Sequence, residues 1–185
     1  PRSTLFPYTT LFRSLFIYGL NHFLVAGFSA GQLHGVDHFQ DRIAIGNEKC
    51  PGLQLRVGDA ADMEFADGEF DIVSEQFCFC HIMDNSVRAR IAREMIRVVK
   101  KTGHIIIFDW NIGSKSRSYN SVSKAVIREL FHVGVKTMVV KRFRGQLYPP
   151  VGRFLSRFAP FLYPLTQTCF PFLVGSHLTI LRPVE

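Results

Sequence analysis

Acidic residues run out after the first 110 positions. Residues 111–185 hold 2 Asp/Glu against 11 Lys/Arg, whereas residues 1–110 hold 13 acids against 11 bases. The net charge of +7 therefore belongs to the C-terminal part. An anionic substrate, a nucleic acid, a lipid surface or a plain solvated basic face would each fit that excess. Cysteine is sparse too. Cys50, Cys78, Cys80 and Cys169 form no framework of the kind that staples small secreted domains, so a reduced, cytoplasmic setting is expected. Formal charge is absent from Ser14 to Val36 and again from Phe158 to Leu181, which raises the question of membrane spans. Asn21, His22, Gln32, His34 and four glycines speak against the first, and Pro160, Pro164 and Pro171 against the second. No internal repeat is visible. With 47% hydrophobic and 20% charged residues, wholesale disorder is excluded and one globular domain is expected.

Residues 1–14 (PRSTLFPYTTLFRS) do not read as the start of a domain. They resemble translated sequencing-adapter read-through and are set aside as an extraneous, non-native segment, leaving residues 15–185 as the domain. Leu15 to Ala30 has Phe16, Leu20, Phe23 and Leu24 near helical spacing, with Gly31 as a candidate cap. Leu33 to Asp37 reads as a short strand ending in an acid, followed by a helix from about Asp41 that stops at Pro51-Gly52. Asp84, Asn85 or Ser86 can cap a helix whose apolar face is Val87, Ile91, Met95, Val98 and Val99; Arg88, Arg90, Arg93 and Arg97 are read as its solvated side. Gly103 is expected to end it ahead of a buried strand, His104 to Asp109. Strands alternating with helices imply a right-handed, mostly parallel sheet. A helix over Val122 to His132, a strand over Val135 to Val140, a helical insertion over about 146–174 on the substrate side and a last strand over Gly175 to Leu181 complete the chain.

The stretch from Leu53 to Gln76 carries the functional signal. Leu53 to Val57 alternates and stops at Gly58-Asp59-Ala60; Phe65-Ala66-Asp67-Gly68-Glu69-Phe70-Asp71-Ile72-Val73 then leads into a second short strand. Strand ends bearing small and acidic residues are what an open α/β sheet presents to a ligand. These residues resemble the central signature of class I S-adenosylmethionine-dependent methyltransferases, and the resemblance extends from about Leu20 to Thr102. It implies an α/β, Rossmann-like, doubly wound and mostly parallel sheet with an antiparallel C-terminal strand. It further implies that Asp59 accepts from the adenine amino group of S-adenosylmethionine and that Asp37 accepts from both ribose hydroxyls. A vicinal diol has two donors, and one carboxylate can accept both. Asp37, His38, Gly58, Asp59, Ala60 and Gln76 are thus the expected cofactor contacts, with Phe77 beside Gln76. The two acids are expected to hold opposite ends of one adenosine.

The family's Gly-rich loop after the first strand has no match upstream of Leu33: Gly27, Gly31 and Gly35 are wrongly spaced, and Tyr18-Gly19-Leu20 resembles a remnant of the helix that follows it. The first strand and the Gly-rich loop are therefore expected to be missing or replaced, in a chain incomplete at its N-terminus, with the central sheet a strand short.

Methyl transfer from a sulfonium is an in-line displacement, so the enzyme's task is positioning and exclusion of water. Where the acceptor must lose a proton, His81, with Glu75 behind it, is the candidate catalytic base; an exposed or hydrogen-bonded loop histidine is the plain alternative. Cys78-Phe79-Cys80-His81 lacks the second ligand pair of a zinc site, so no metal is expected. A dinucleotide dehydrogenase would need a Gly-x-Gly-x-x-Gly that is not present. The sequence thus predicts methyl transfer to a small-molecule or a glycan- or lipid-linked acceptor, with peripheral membrane contact and with nucleic acid disfavoured. The alternative is a non-catalytic basic module that binds lipid or nucleic acid and keeps a vestigial cofactor site.

Overall fold

The computed structural model describes residues 4–8, 20, 22–111, 120–131 and 137–184. Its strands are β1 (Thr4–Tyr8), β2 (Leu33–Asp37), β3 (Gln54–Val57), β4 (Phe70–Gln76), β5 (Val99–Trp110), β6 (Thr137–Arg144) and β7 (Ser176–Pro183). They form one seven-stranded sheet in the order β3-β2-β1-β4-β5-β7-β6. β1 to β5 are parallel, and β7 is antiparallel to both β5 and β6. The helices are α1 (Gln40–Lys49), α2 (Asn85–Val98), α3 (Lys124–Phe131), α4 (Pro149–Phe158) and α5 (Leu162–Cys169). This is the Rossmann-like, mostly parallel α/β architecture the sequence implies, and its order reverses between β1 and β4, where such sheets open a ligand crevice.

One expectation is corrected. The sheet is not a strand short: Thr4–Tyr8, inside the segment set aside, fills the first-strand place. Its register runs from Thr4↔Leu33 to Tyr8↔Asp37 against β2, and pairs Thr4↔Ile72 and Leu5↔Val73 against β4. The cause is backbone satisfaction. Without an occupant, β2 and β4 would each carry an unpaired row of amides and carbonyls through the middle of the sheet. Pro7 offers no N–H, and it lies beyond the last residue paired with β4. The place of the Gly-rich loop falls within residues 9–19, outside the described residues.

Three apolar clusters build the core. α2 buries Ile91, Ala92, Met95 and Val98 against Phe70, Val73, Ile105 and Ile107, and Asp84 caps its start by accepting from the Ser86 amide at 2.7 Å. Leu20, Leu33, Ile43 and Leu53 form a second cluster; Leu147, Leu155 and Val174 form a third beneath α4. The turn of helix over residues 22–25 ends at Gly27, whose φ of +93° closes it, and not at Gly31. Gly103 does not end α2 either. β5 already begins at Val99, and Gly103 lies within it, where a Cβ would stand 2.7 Å from the Asp71 carbonyl.

Candidate cofactor and acceptor edge

β2 and β3 end side by side. Asp37 pairs with Val57, and the Gly58 amide donates to the Asp37 carbonyl at 3.0 Å, so the two acids expected to hold an adenosine stand on neighbouring strand tips. A Cβ at Gly58 would lie 3.2 Å from Val36 Cγ1, which is why a glycine fits this turn. The carboxylates differ in surroundings. Asp59 is 52% exposed; its Oδ1 accepts from the Ala61 amide at 2.8 Å, and Arg90 stands 3.6 Å from its Oδ2. Asp37 is wholly covered, with Oδ1 accepting from the Phe39 amide at 2.9 Å and Oδ2 3.5 Å from Arg42 Nη1. Burial raises the Asp37 pKa, while the Phe39 amide and Arg42 hold it down.

Beside Asp59 lies a hollow of about 70 Å³ bounded by Val36, Gly58, Asp59, Met63 and Phe65. It is smaller than the roughly 300–1,000 Å³ that enclose whole ligands. At the Asp59 end the hollow presents a half-exposed carboxylate, an acceptor of the kind an adenine amino group needs. At the Asp37 end the fit requires the carboxylate to give up its longer contact, to Arg42. His38 is exposed with its ring edge on Phe39, Ala60 is buried, and Gln76 sits half-buried at the tip of β4.

The chain leaves β4 through strained backbone. Phe77, a buried non-glycine residue, has φ +54°, and its ring lies 4.8 Å from Phe108 and 5.4 Å from Trp110. His81 closes the short 3-10 turn Phe79–His81, its amide donating to the Cys78 carbonyl at 3.1 Å. Two acids from adjacent strand tips anchor this loop. Glu75 Oε2 accepts from the Cys78 amide at 2.9 Å, and Asp109 Oδ2 from the Cys80 amide at 3.0 Å. Both are fully covered, and burial raises both pKa values, Glu75 additionally through the charge of Asp109. Burial likewise pushes the Cys80 thiol up, which makes it a poor metal ligand or nucleophile.

Arg88 answers this buried negative charge. It is 4% exposed and so not on the solvated side assigned to it. Desolvation lowers its pKa against the pull of Asp109 and Glu75, and its Nη1 donates to Asn85 at 3.3 Å. The sequence carried a signal for it: positions 88, 91, 95 and 98 share one helical stripe, and an arginine on that stripe must find a buried counter-charge. Asp109 was legible in the same way as Asp37 and Asp59, as an acid at a strand tip. Arg97 is not free surface either, since it donates to Glu94, Asp67 and the carbonyls of Met63 and Phe65. Among the described residues no group of three or more His, Cys, Asp or Glu side chains could hold a metal ion.

A doubly wound sheet with acids on the tips of its second and third strands defines a Rossmann-like, nucleotide-binding type of fold. Comparison with known proteins narrows this. The family described as "Methyltransferase domain" matches residues 18–107. Ajmaline N-methyltransferase of Rauvolfia serpentina is 30% identical over 125 residues, covering 65% of this chain and 40% of that protein. The 2-methyl-6-phytyl-1,4-hydroquinone methyltransferase of Synechocystis is 36% identical over 78 residues, 42% of this chain and 24% of that one. Among solved structures, geranyl diphosphate C-methyltransferase from Streptomyces coelicolor A3(2), in complex with Mg2+, geranyl diphosphate and S-adenosyl-L-homocysteine, superposes with a TM-score of 0.67 at 14% identity, covering 98% of this chain and 71% of that one. These matches support a class I S-adenosylmethionine-dependent methyltransferase. The chain spans less than half the length of these two curated relatives.

Proposed function

We propose that the protein transfers a methyl group from S-adenosylmethionine to a small-molecule or a glycan- or lipid-linked acceptor at the edge formed by the tips of β2 to β5. The carrying observation is the juxtaposition of Asp37 and Gly58-Asp59 on adjacent strand ends. In this reading Asp59 accepts from the adenine amino group, and Gly58 and Ala60 let the base lie against the turn. Asp37 takes the ribose hydroxyls in place of Arg42, His38 lines the same rim, and Gln76 with Phe77 bounds the methyl-donor end. Bound S-adenosylmethionine supplies an activated methyl group; the chain's own residues bind, orient and keep water away. His81 is the base for an acceptor that must lose a proton, on a loop held in place by Glu75 and Asp109. Relatives whose names carry ajmaline and a phytyl hydroquinone support a largely apolar acceptor. Among the described residues no helix is long and apolar enough to cross a membrane.

Titration of the chain with S-adenosylhomocysteine in a calorimeter tests this reading. A saturable heat that Asp59→Ala weakens is the expected result, and no heat at millimolar ligand overturns it. The second reading, a non-catalytic lipid-binding module, draws on the exposed aromatic and basic surface of α4 and α5, and on a segment between β1 and Leu20 whose sole glycine is Gly19.

A further inference from the structure

The surface formed by α4, α5 and the turn after them is unlike the rest of the molecule. Phe154, Phe158, Phe161, Leu165, Phe170 and Phe172 are 61, 65, 77, 57, 47 and 72% exposed. Phe154 and Phe158 stand four apart on α4, and Phe161, the residue before α5, stands four before Leu165, so each helix carries a pair on one side. The opposite side of α4 is anchored through Gly152 and Leu155 to the cluster with Leu147 and Val174. The rings also group among themselves, Phe154 with Phe158 at 5.1 Å and Phe170 with Phe172 at 5.9 Å. An apolar patch of this kind marks a contact surface.

Charge says what meets it. From Glu129 to Glu185 the chain has seven Lys/Arg and no acid between those two residues. Arg153 and Arg157 stand exposed on α4 among the rings, with the Arg157 guanidinium 5.5 Å from the Phe158 ring centre. Arg144 ties the end of edge strand β6 to α5 through the carbonyls of Gln167 and Thr168, and Lys141 lies over Phe143 on the same strand. Exposed rings interleaved with arginines, with no acid to repel phosphate, complement an anionic bilayer: rings enter the acyl boundary while guanidinium groups stay at the headgroups.

A groove gives this surface a purpose. About 520 Å³ in volume, it runs from Trp110 at the tip of β5, past Gln146, Leu147 and Tyr163, to Arg153 and Arg157 on α4. One end is the edge where β4 and β5 finish; the other is lined by Arg153 and Arg157, the sequence neighbours of the exposed Phe154 and Phe158. We propose that the α4–α5 face docks on an anionic lipid bilayer and that the groove draws an amphiphilic acceptor from it, apolar body inward and any phosphate held by Arg153 and Arg157. The acceptor half of this proposal rests on the methyl-transfer reading above, whereas the docking half does not.

Co-sedimentation with vesicles of phosphatidylcholine, alone or mixed with phosphatidylglycerol, tests it. The chain should bind the mixed vesicles far better than the neutral ones, and less as salt is raised. Phe158→Ser with Phe161→Ser should reduce partitioning at least about tenfold. Arg153→Gln with Arg157→Gln should reduce it on mixed vesicles by about fivefold for each arginine and leave neutral vesicles unchanged. These side chains are exposed, so circular dichroism should confirm an unaltered fold. Failure of the parent chain to bind mixed vesicles, or variants binding as well as the parent, overturns docking. So does a dimer in light scattering that the phenylalanine variant disperses without any vesicle binding, since the occupant would then be a second copy. Titration of the same preparation with S-adenosylhomocysteine separates the two readings. Vesicle binding without cofactor binding defeats methyl transfer alone; the reverse defeats docking alone.

Discussion

Arg97 and Asp67 meet at 2.8 Å across thirty residues of chain. The same guanidinium reaches Glu94 and the carbonyls of Met63 and Phe65, while Glu94 Oε2 accepts from the Met63 amide at 2.8 Å. One helical arginine thus fixes the loop that carries the chain from the Asp59 turn into β4. Its pKa is raised by the Glu94 and Asp67 carboxylates and that of Glu94 lowered by the arginine. Asp67 is largely exposed, so its share is discounted. Arg97→Ala is expected to cost about 2 kcal/mol, chiefly through the two carbonyls and the Glu94 pair. Urea unfolding checks this; a loss below about 0.5 kcal/mol would show that the loop holds without the clamp.

Asp59 offers a cleaner test of ligand contact than Asp37. Its carboxylate is half-exposed, so Asp59→Ala leaves little unsatisfied in the fold. Calorimetry should show S-adenosylhomocysteine binding weakened by about 1–3 kcal/mol, the range for one lost hydrogen bond to a buried or charged partner. An identical titration would remove Asp59 from the site. Arg90→Gln, which frees the same oxygen, should leave affinity equal or stronger.

The buried acids give stability a pH dependence of definite sign. Burial lifts Asp109 from its ordinary 3.8 to about 6. A carboxyl raised in this way contributes stability that is complete below pH 3.8 and lost as pH climbs toward 6. His177 acts in the opposite direction. Burial and the charges of Arg142 and Arg144 push it from 6.5 to about 4, so its contribution is complete above pH 6.5 and lost as pH falls toward 4. Thermal melts between these limits should show Asp109→Asn gaining stability with pH more steeply than the parent, and His177→Gln less steeply. Superimposable pH profiles would mean that neither group is held as placed here.

Gly175 lies against the sole tryptophan. A Cβ there would stand 2.7 Å from Trp110 Cζ3 and 3.3 Å from the Tyr148 backbone. Gly175→Ala should therefore displace the indole from the head of the groove, at a cost of about 1–3 kcal/mol. Trp110 fluorescence reports the displacement directly, since no second indole contributes. An unshifted emission spectrum with unchanged stability would place the ring elsewhere.

Most of the sheet was legible from period and punctuation. Leu33–Asp37, the Pro51-Gly52 stop and the Asp84 cap lie where the residues place them, because each is set by local geometry. What local pattern could not show was tertiary demand. Nothing in Thr4-Leu5-Phe6-Pro7-Tyr8 announces a central strand; it is the vacancy between β2 and β4 that defines it. Arg88 looked like one of four surface arginines until Glu75 and Asp109 supplied a buried counter-charge. Gly103 reads as a helix stop in isolation, yet what it answers to is the closeness of the Asp71 carbonyl. The acids at strand tips were visible singly, whereas the covering of Asp37 and the exposure of Asp59 depend on Arg42 and on the hollow beside Phe65.

The five-residue strand β1 has an outsized mechanical part. β2 and β3 are hydrogen-bonded into the rest of the sheet through β1 alone, a five-residue segment paired to β4 at two positions. Withdrawing it would part the hydrogen-bonded ladder into a two-stranded flap bearing Asp37 and Asp59 and a four-stranded slab bearing His81 and the groove, leaving side-chain packing, such as His34 on Phe70, to hold the two halves of the proposed reaction in line.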